Sequence, residues 1–189
     1  AFGFSFSNVI RYHNLSDIED KRRVLDLYLE NFSAHRISPY DPAPLDPLRV
    51  SWNHTVPKFD WSAWDKSMTK AIEQYGFNSF RLDVSGLGSG DYTRQIPPQL
   101  NGFSKGDPRY RISLQRYLGE IERHLEEKQW LDEAYIYLFD EPRTADYPFV
   151  NREYSKLAQY APRLRRMLTE QVEDALQGGP TIWCPLTSR

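Results

Sequence analysis

The segment Ala134–Asp140, with the sequence AYIYLFD, is the strongest strand signal in the chain. It has the length and apolar character of a buried strand, and helical patterns stand on both sides of it. Short strand-like runs and helical patterns alternate in the same way over the 189 residues. Because parallel neighbouring strands need a crossover helix between them, this alternation predicts an α/β fold with parallel strands.

Periodicity, caps and turn residues place the predicted elements. Strands are predicted for residues 35–38, 48–52, 77–84, 134–140 and 181–186. Helices are predicted to begin at a capping box at residues 16–19, at Asp60, at Asp107 and near Asn151, and a further one over residues 161–177 carries Leu164, Leu168 and Leu176. The proline-rich residues 39–47 and the glycine-rich residues 85–107 are predicted loops.

About five βα units follow from this assignment, and both an open doubly wound sheet and a TIM barrel contain such units. A complete TIM barrel has eight strands and typically about 250 residues. We therefore interpret residues 1–189 as a single partial (β/α) TIM-type barrel domain, incomplete at its C-terminus. Further chain segments that complete the barrel are expected partners of this part.

Charge and composition exclude several classes of protein. The 24 Lys and Arg residues against 26 Asp and Glu give a net charge of −2, so no basic field for nucleic-acid binding is present. No apolar run reaches the roughly 18–20 residues of a membrane span. Cys184 is the single cysteine and the four histidines are far apart, so we expect neither a disulfide nor a metal, and no cofactor is indicated. The oligomeric state stays open, and so does the cellular compartment, for which a secreted or periplasmic location is favoured.

Aromatic residues make up 14% of the chain, including 12 Tyr and 5 Trp. Clefts that bind sugars use such rings, because a pyranose has an apolar face and a rim of hydroxyl groups. The alternative for each ring is an ordinary place in the core.

Polar groups follow three of the predicted strands. In parallel α/β folds the ligand site lies at the carboxyl ends of the strands, so these groups are candidates for a common site. They are Arg36 with Tyr40 and Asp41, Asp83, and the pair Asp140 and Glu141.

The adjacent carboxylates Asp140 and Glu141 are the most informative of these groups. Two charges at the end of an apolar strand are costly unless they are solvated, paired or used in chemistry. Close carboxylates are also the arrangement by which enzymes keep one carboxylic acid available as a general acid. The alternative is that Asp140 caps the next element and Glu141 is merely solvated.

The glycines Gly86, Gly88 and Gly90 do not form a phosphate-binding motif. Asp91 stands where G-x-G-x-x-G needs its third glycine, and no G-K-[ST] follows. A flexible loop beside an active site is the better interpretation.

The run W-L-D-x-A-Y-x-Y-x-x-D-E-P at residues 130–142 resembles glycoside hydrolase family 123 and the related domain of unknown function 4091 group. Further segments of the chain resemble the family in the same order. They are residues 34–39, residues 75–78 and the closing residues 182–185. The resemblance implies a TIM-type barrel similar to that of hexosaminidases, and a carbohydrate substrate.

Characterised members of that family are retaining exo-β-N-acetylgalactosaminidases with an adjacent Asp–Glu pair. The resemblance implies that Glu141 is the general acid/base. It implies that Asp140 orients the 2-acetamido group of the substrate, whose carbonyl oxygen attacks the anomeric carbon. Substrate contacts are expected from four residues at predicted strand ends, namely Arg36, Asp83, Tyr137 and Trp183.

Two alternatives remain at this point. One is a carbohydrate-binding barrel without catalysis, in which Asp140 and Glu141 only bind hydroxyl groups. The other is a two-carboxylate glycosidase whose nucleophile lies beyond Arg189.

Overall fold

The computed structural model describes residues 2–185 as a mixed α/β protein in two compact units. The first unit contains residues up to 50 and residues 59–81, and the second contains residues 51–58 and the chain from residue 82 onward. The helices are α1 (Phe6–Tyr12), α2 (Ile18–Ala34), α3 (Ser62–Thr69), α4 (Pro108–Glu127) and α5 (Tyr147–Tyr160). A π-helical turn, Lys70–Gln74, extends α3, and 3₁₀ turns lie at Thr144–Asp146 and Asp174–Leu176.

The strands are shorter than most of the helices. They are β1 (Arg49–Asn53), β2 (Val56–Asp60), β3 (Phe80–Arg81), β4 (Ser89–Asp91), β5 (Gln95–Ile96), β6 (Gln99–Leu100), β7 (Phe103–Ser104), β8 (Ala134–Asp140), β9 (Arg165–Thr169) and β10 (Ile182–Trp183). Within residues 2–185, every helix is too short or too polar to span a bilayer.

The first unit has an apolar core between its helices. The buried side chains of this core are Phe6, Val9, Leu25, Leu29, Ala71, Tyr75 and Phe77. Helix α2 was predicted, but its cap is Asp17 rather than Ser16, because the Asp17 carboxylate accepts the amides of Glu19 and Asp20. Aspartate at that position also places a negative charge at the positive end of the helix dipole.

The strand predicted for residues 35–38 is wrong: these residues form a turn and irregular backbone, and an isolated bridge follows at Pro39. Helix α2 continues to Ala34, and Arg36 follows in a left-handed turn with φ 56°. Pro39 forms a parallel bridge with Phe2, and the Arg81 amide donates to the Tyr40 carbonyl oxygen at 2.8 Å. Extended segments therefore do lie side by side in this unit.

The second unit is built on a sheet with the strand order β10-β9-β8-β4-β5. The pairs β10–β9, β9–β8 and β8–β4 are parallel, whereas β4 and β5 are antiparallel. Helix α5 connects β8 to β9 and packs its apolar face on both strands. The core of this packing contains Phe139, Tyr147, Phe149, Val150, Tyr154, Leu168 and Leu176.

Strand β9 corrects the prediction of a helix over residues 161–177. Leu164 and Leu168 are four residues apart, a spacing that places two side chains on one face of a helix and also on one face of a strand. In β9 the burial alternates, with Arg166 and Leu168 buried and their neighbours half-buried. Hydrogen bonding to β8 stabilises the extended conformation of these residues, and the local sequence pattern does not indicate this pairing.

The predicted loop over residues 85–107 is also more ordered than expected, because it contains β4 to β7. The strand predicted for residues 77–84 is reduced to β3, although the Leu82 amide still donates to the Tyr135 carbonyl oxygen at 2.8 Å. In contrast, β8 and the Asp107 cap of α4 are confirmed at the predicted residues. The predicted strand over residues 181–186 is present as β10, and Leu186 lies outside the described residues.

A mixed α/β fold with parallel strands is therefore confirmed, and a closed barrel is not found within residues 2–185. The antiparallel β5 at one end of the sheet departs from the all-parallel expectation. The TIM-type barrel and the single-domain interpretation stay predictions.

Candidate active site

The carboxyl end of β8 brings the predicted acidic pair to the surface of the second unit. Asp140 is the last residue of β8, and both it and Glu141 are exposed. Glu141 has a left-handed backbone with φ 45°, and its amide donates to the carbonyl oxygen of Thr169 at 3.1 Å. Left-handed residues other than glycine are uncommon and concentrate at functional sites, and here the turn takes Glu141 out of the alternation of the strand.

The Asp140 carboxylate is fixed by two hydroxyl groups. Its Oδ1 accepts from Tyr137 Oη at 2.6 Å and from Thr169 Oγ1 at 2.9 Å. The two hydroxyl oxygens are themselves 2.9 Å apart, so the three groups form a closed triangle. Thr169 reaches this position because it pairs with Asp140 in the parallel ladder of β8 and β9.

Asp140 Oδ2 and the Glu141 carboxylate differ from Asp140 Oδ1 in their surroundings. Within residues 2–185, Asp140 Oδ2 and the Glu141 carboxylate have neither a hydrogen bond nor an ion pair to the protein. One oxygen of Asp140 is thus held in place while the other is available to a ligand. Glu141 is the next residue along the chain, and its carboxylate is likewise exposed to solvent.

Strand β4 adds a third carboxylate to this edge. Asp91 is directly across the ladder from Asp140. Its side chain accepts from the Thr93 hydroxyl, from the Thr93 amide at 2.7 Å and from the Arg94 amide at 3.1 Å. These hydrogen bonds, led by the Thr93 hydroxyl, hold the pKa of Asp91 below its ordinary value. Asp91 therefore remains ionised and shapes the turn into β5.

The loop after the acidic pair is tied to β5 by a buried carboxylate. Asp146 accepts from Arg143 Nε at 3.1 Å and from the Gln95 side-chain amide. Arg143 first and Gln95 second hold the pKa of Asp146 below its ordinary value, so this carboxylate is charged at neutral pH. These bonds restrain the backbone that immediately follows Glu141.

The other predicted site residues are distributed over both units. Tyr137 contacts Asp140 directly, as described above. Asp83 is exposed one residue beyond Leu82, in the same unit. Trp183 pairs with Leu168 in the ladder and packs, half-buried, against the apolar core under α5. Arg36 belongs to the first unit, where it lines a cavity of about 270 Å³.

Two residues of the site were not predicted. Thr169 falls within the helix predicted for residues 161–177, and only its pairing with β8 reveals its position beside Asp140. Asp91 interrupts a glycine motif, and the order Asp91-Tyr92-Thr93, typical of a side-chain-capped turn, is the signal that could have identified it.

A larger cavity, of about 450 Å³, lies in the first unit among charged groups that are already paired with each other. Arg22 binds Asp46 through two hydrogen bonds of 2.8 Å, and Lys70 Nζ lies 2.6 Å from Asp26. The Arg22 hydrogen bonds hold the pKa of Asp46 below its ordinary value. Since these groups satisfy one another, we do not place the chemistry here. Within the described residues, no cluster of three potential metal ligands occurs.

Comparison with known proteins gives one family match. The family model described as the glycoside hydrolase 123 catalytic domain matches residues 50–174, which is more than half of the chain. The matched range contains Tyr137, Asp140, Glu141 and Thr169, and it excludes Arg36 and Trp183. No curated protein sequence matches the chain. The resemblance noted in the sequence is confirmed by this match, and the chain belongs to glycoside hydrolase family 123.

Proposed function

We propose that the protein hydrolyses a terminal β-linked N-acetylhexosamine, with N-acetylgalactosamine as the favoured sugar, by retaining, substrate-assisted catalysis. Membership of a glycoside hydrolase family supports glycosidase activity. The observation that carries the finer proposal is the neighbouring pair Asp140 and Glu141, exposed at a strand end with Asp140 fixed by Tyr137 and Thr169.

The adjacency of the pair supports a nucleophile on the substrate. A retaining enzyme with two carboxylates places them about 5–5.5 Å apart on opposite sides of the scissile bond. Sequence neighbours on one strand end are poorly suited to flank a bond. If the acetamido oxygen attacks, both carboxylates can work from the same side.

In the first step Glu141 gives its proton to the glycosidic oxygen. The acetamido carbonyl oxygen forms a bond to the anomeric carbon while the bond to the leaving oxygen breaks, which produces a cyclic oxazolinium ion. Asp140 Oδ2 accepts the hydrogen bond of the acetamido N–H and stabilises the developing positive charge. Glu141 then takes a proton from water, the water oxygen attacks the anomeric carbon and the acetamido group is restored.

Hydrolysis of 4-nitrophenyl N-acetyl-β-galactosaminide by the full-length protein tests the assignment of Glu141. Glu141→Gln should lower kcat/KM by about 100-fold or more, the usual range for loss of a general acid/base. Glu30→Gln is the control, since Glu30 is exposed on α2. Unchanged turnover in Glu141→Gln would remove the assignment.

A thiazoline derived from the sugar mimics the cyclic ion and tests Asp140. The wild type should bind it, and Asp140→Asn should bind it at least about tenfold more weakly, because the charged acceptor for its nitrogen is lost. Equal affinity in the two proteins would favour the two-carboxylate scheme. Binding of N-acetylgalactosamine without any hydrolysis would favour the non-catalytic alternative.

A further inference from the structure

The glycine-rich segment before β4 is fastened to two helices by buried polar groups. Glu153 on α5 is fully buried, and its Oε2 accepts the Gly88 amide at 2.8 Å. A Cβ at Gly88 would collide with the Phe149 ring, so the backbone lies directly on α5. Burial of a carboxylate costs free energy unless the group is paired and hydrogen-bonded, and here one of its partners is a loop amide.

A short hydrogen-bonded chain completes this fastening. Lys156 Nζ lies 2.7 Å from both oxygens of Glu153 and donates to Tyr110 Oη at 3.3 Å. Tyr110 Oη in turn donates to the Gly86 carbonyl oxygen at 2.7 Å. The segment is thus held at Gly86 by α4 and at Gly88 by α5, with Lys156 joining the two anchors.

The anchored segment leads directly into the active-site edge. Two residues after Gly88, β4 pairs with β8, with Gly90 opposite Phe139 and Asp91 opposite Asp140. Strand β4 has only three residues, so its own ladder defines its register weakly. A slip of one residue would turn every side chain to the other face and move Asp91 from its place across from Asp140.

We propose that Glu153 is a positioning residue for the hydrolysis: its carboxylate fixes the Gly88 amide and thereby the register of β4 against the strand that carries Asp140. This inference rests on the proposed function of Asp140 and Glu141. It assigns Glu153 no contact with the substrate. Its effect passes through the backbone of residues 88–91 to the edge of β8.

The Glu153→Asp variant tests the length of the side chain separately from its charge. Glu153→Asp keeps the charge beside Lys156 but withdraws the carboxylate from Gly88 by one methylene. We expect kcat to fall about tenfold with KM within about twofold of wild type, because displacements of about 1 Å at an active site cost up to 100-fold in rate. Glu127→Asp is the matched control, since Glu127 pairs with Arg123 on the exposed face of α4.

A double variant provides the rescue. Glu153→Gln with Lys156→Met removes both charges and keeps an oxygen that reaches the Gly88 amide. We expect the kcat of this double variant to return to within about threefold of wild type, since misplacement of the segment and not loss of charge limits the rate. A kcat as low as that of Glu153→Asp would overturn the inference, and so would a Glu153→Asp enzyme with wild-type kcat.

Amide hydrogen exchange gives a readout that does not depend on activity. In Glu153→Asp, the amides of residues 88–91 should exchange at least about tenfold faster, while the buried amides of α4 keep their rates because the opening is local. Unchanged exchange at residues 88–91 would overturn the inference. If Glu141→Gln retains full activity, the proposed function fails, and the exchange result still decides whether Glu153 holds the segment.

Discussion

Asp140 depends on its two hydroxyl partners for its orientation. With Tyr137 at 2.6 Å and Thr169 at 2.9 Å on the same oxygen, the carboxylate has little freedom to rotate. Hydrogen bonds to a charged group contribute about 1.5–3 kcal/mol, more than those between neutral groups. The orientation of the Asp140 carboxylate is therefore set by three residues rather than one.

Tyr137→Phe removes one of these hydrogen bonds and keeps the ring. We expect kcat/KM for the aryl glycoside to fall about tenfold, equivalent to about 1.4 kcal/mol, because Asp140 becomes free to rotate. Tyr12→Phe is the control, since the Tyr12 side chain is 84% exposed. Equal kinetics in Tyr137→Phe and wild type would show that the triangle does not orient the carboxylate.

The Arg22–Asp46 pair gives a prediction for acid stability. The pKa of Asp46 in the folded protein is lowered from 3.8, chiefly by its hydrogen bonds with Arg22. A lowered pKa stabilises the folded state above the unfolded-state pKa, and the stabilisation is lost as the pH falls through the folded-state pKa. The side chain of Arg22 is 46% exposed, so we expect a modest contribution of about 1 kcal/mol at pH 7.

Urea unfolding of wild type and Asp46→Asn between pH 7 and pH 2.5 measures this contribution. The difference in the free energy of unfolding between the two proteins should be present at pH 7 and pH 5. It should shrink below about pH 3.8, because protonation makes Asp46 neutral, as Asn is at every pH. A difference that is constant or larger at low pH would contradict the assignment.

At the level of single residues, the sequence identifies those whose position depends only on the element they belong to. Asp140 ends the strand that the pattern of residues 134–140 predicts and Glu141 follows it, so their place at a strand end could be inferred. Thr169 is 29 residues away from Asp140 and joins it only through the ladder. Its role therefore depends on a pairing that no local pattern contains.

Among the elements, those with strong local signals were predicted well. Helix α4 begins at the Asp107 cap, whose carboxylate accepts the Arg109 amide at 2.8 Å, and its apolar stripe is fully buried. Strand β9 was missed because a four-residue leucine spacing fits both periods. The short strands β4 and β5 are ordered by partners on other elements, so their sequences read as a loop.

Gly88 and Gly106, both within residues 85–107, offer a matched test of how the backbone at Gly88 packs on α5. Gly88→Ala should destabilise the protein by about 1–3 kcal/mol, because its Cβ would meet the Phe149 ring in a packed core. Gly106→Ala should change stability by less than about 0.5 kcal/mol, since its Cβ would meet nothing within 4 Å. Thermal unfolding of both variants measures the contrast, and equal melting temperatures would contradict the packing of the segment against α5.

For the whole molecule, the order of parallel strands and crossover helices supports the α/β class, and the family match extends from β1 into the 3₁₀ turn at Asp174–Leu176. The closure of a sheet depends on which distant strands pair, a property of the complete chain rather than of its local patterns. The amino-acid composition predicted less about the function, because aromatic residues occur both in sugar-binding clefts and in apolar cores. Trp183, for example, packs against the apolar core under α5.

The central claim is that the substrate's own acetamido group attacks the anomeric carbon while Asp140 and Glu141 assist. The most direct measurement is kcat/KM for 4-nitrophenyl β-galactosaminides whose N-acetyl group carries zero, one, two or three fluorine atoms. Each fluorine weakens the carbonyl oxygen as a nucleophile, so we predict a progressive fall of about 100-fold or more across the series, about 2.7 kcal/mol in the barrier. Rates that do not depend on fluorination would contradict the account and point to a carboxylate nucleophile.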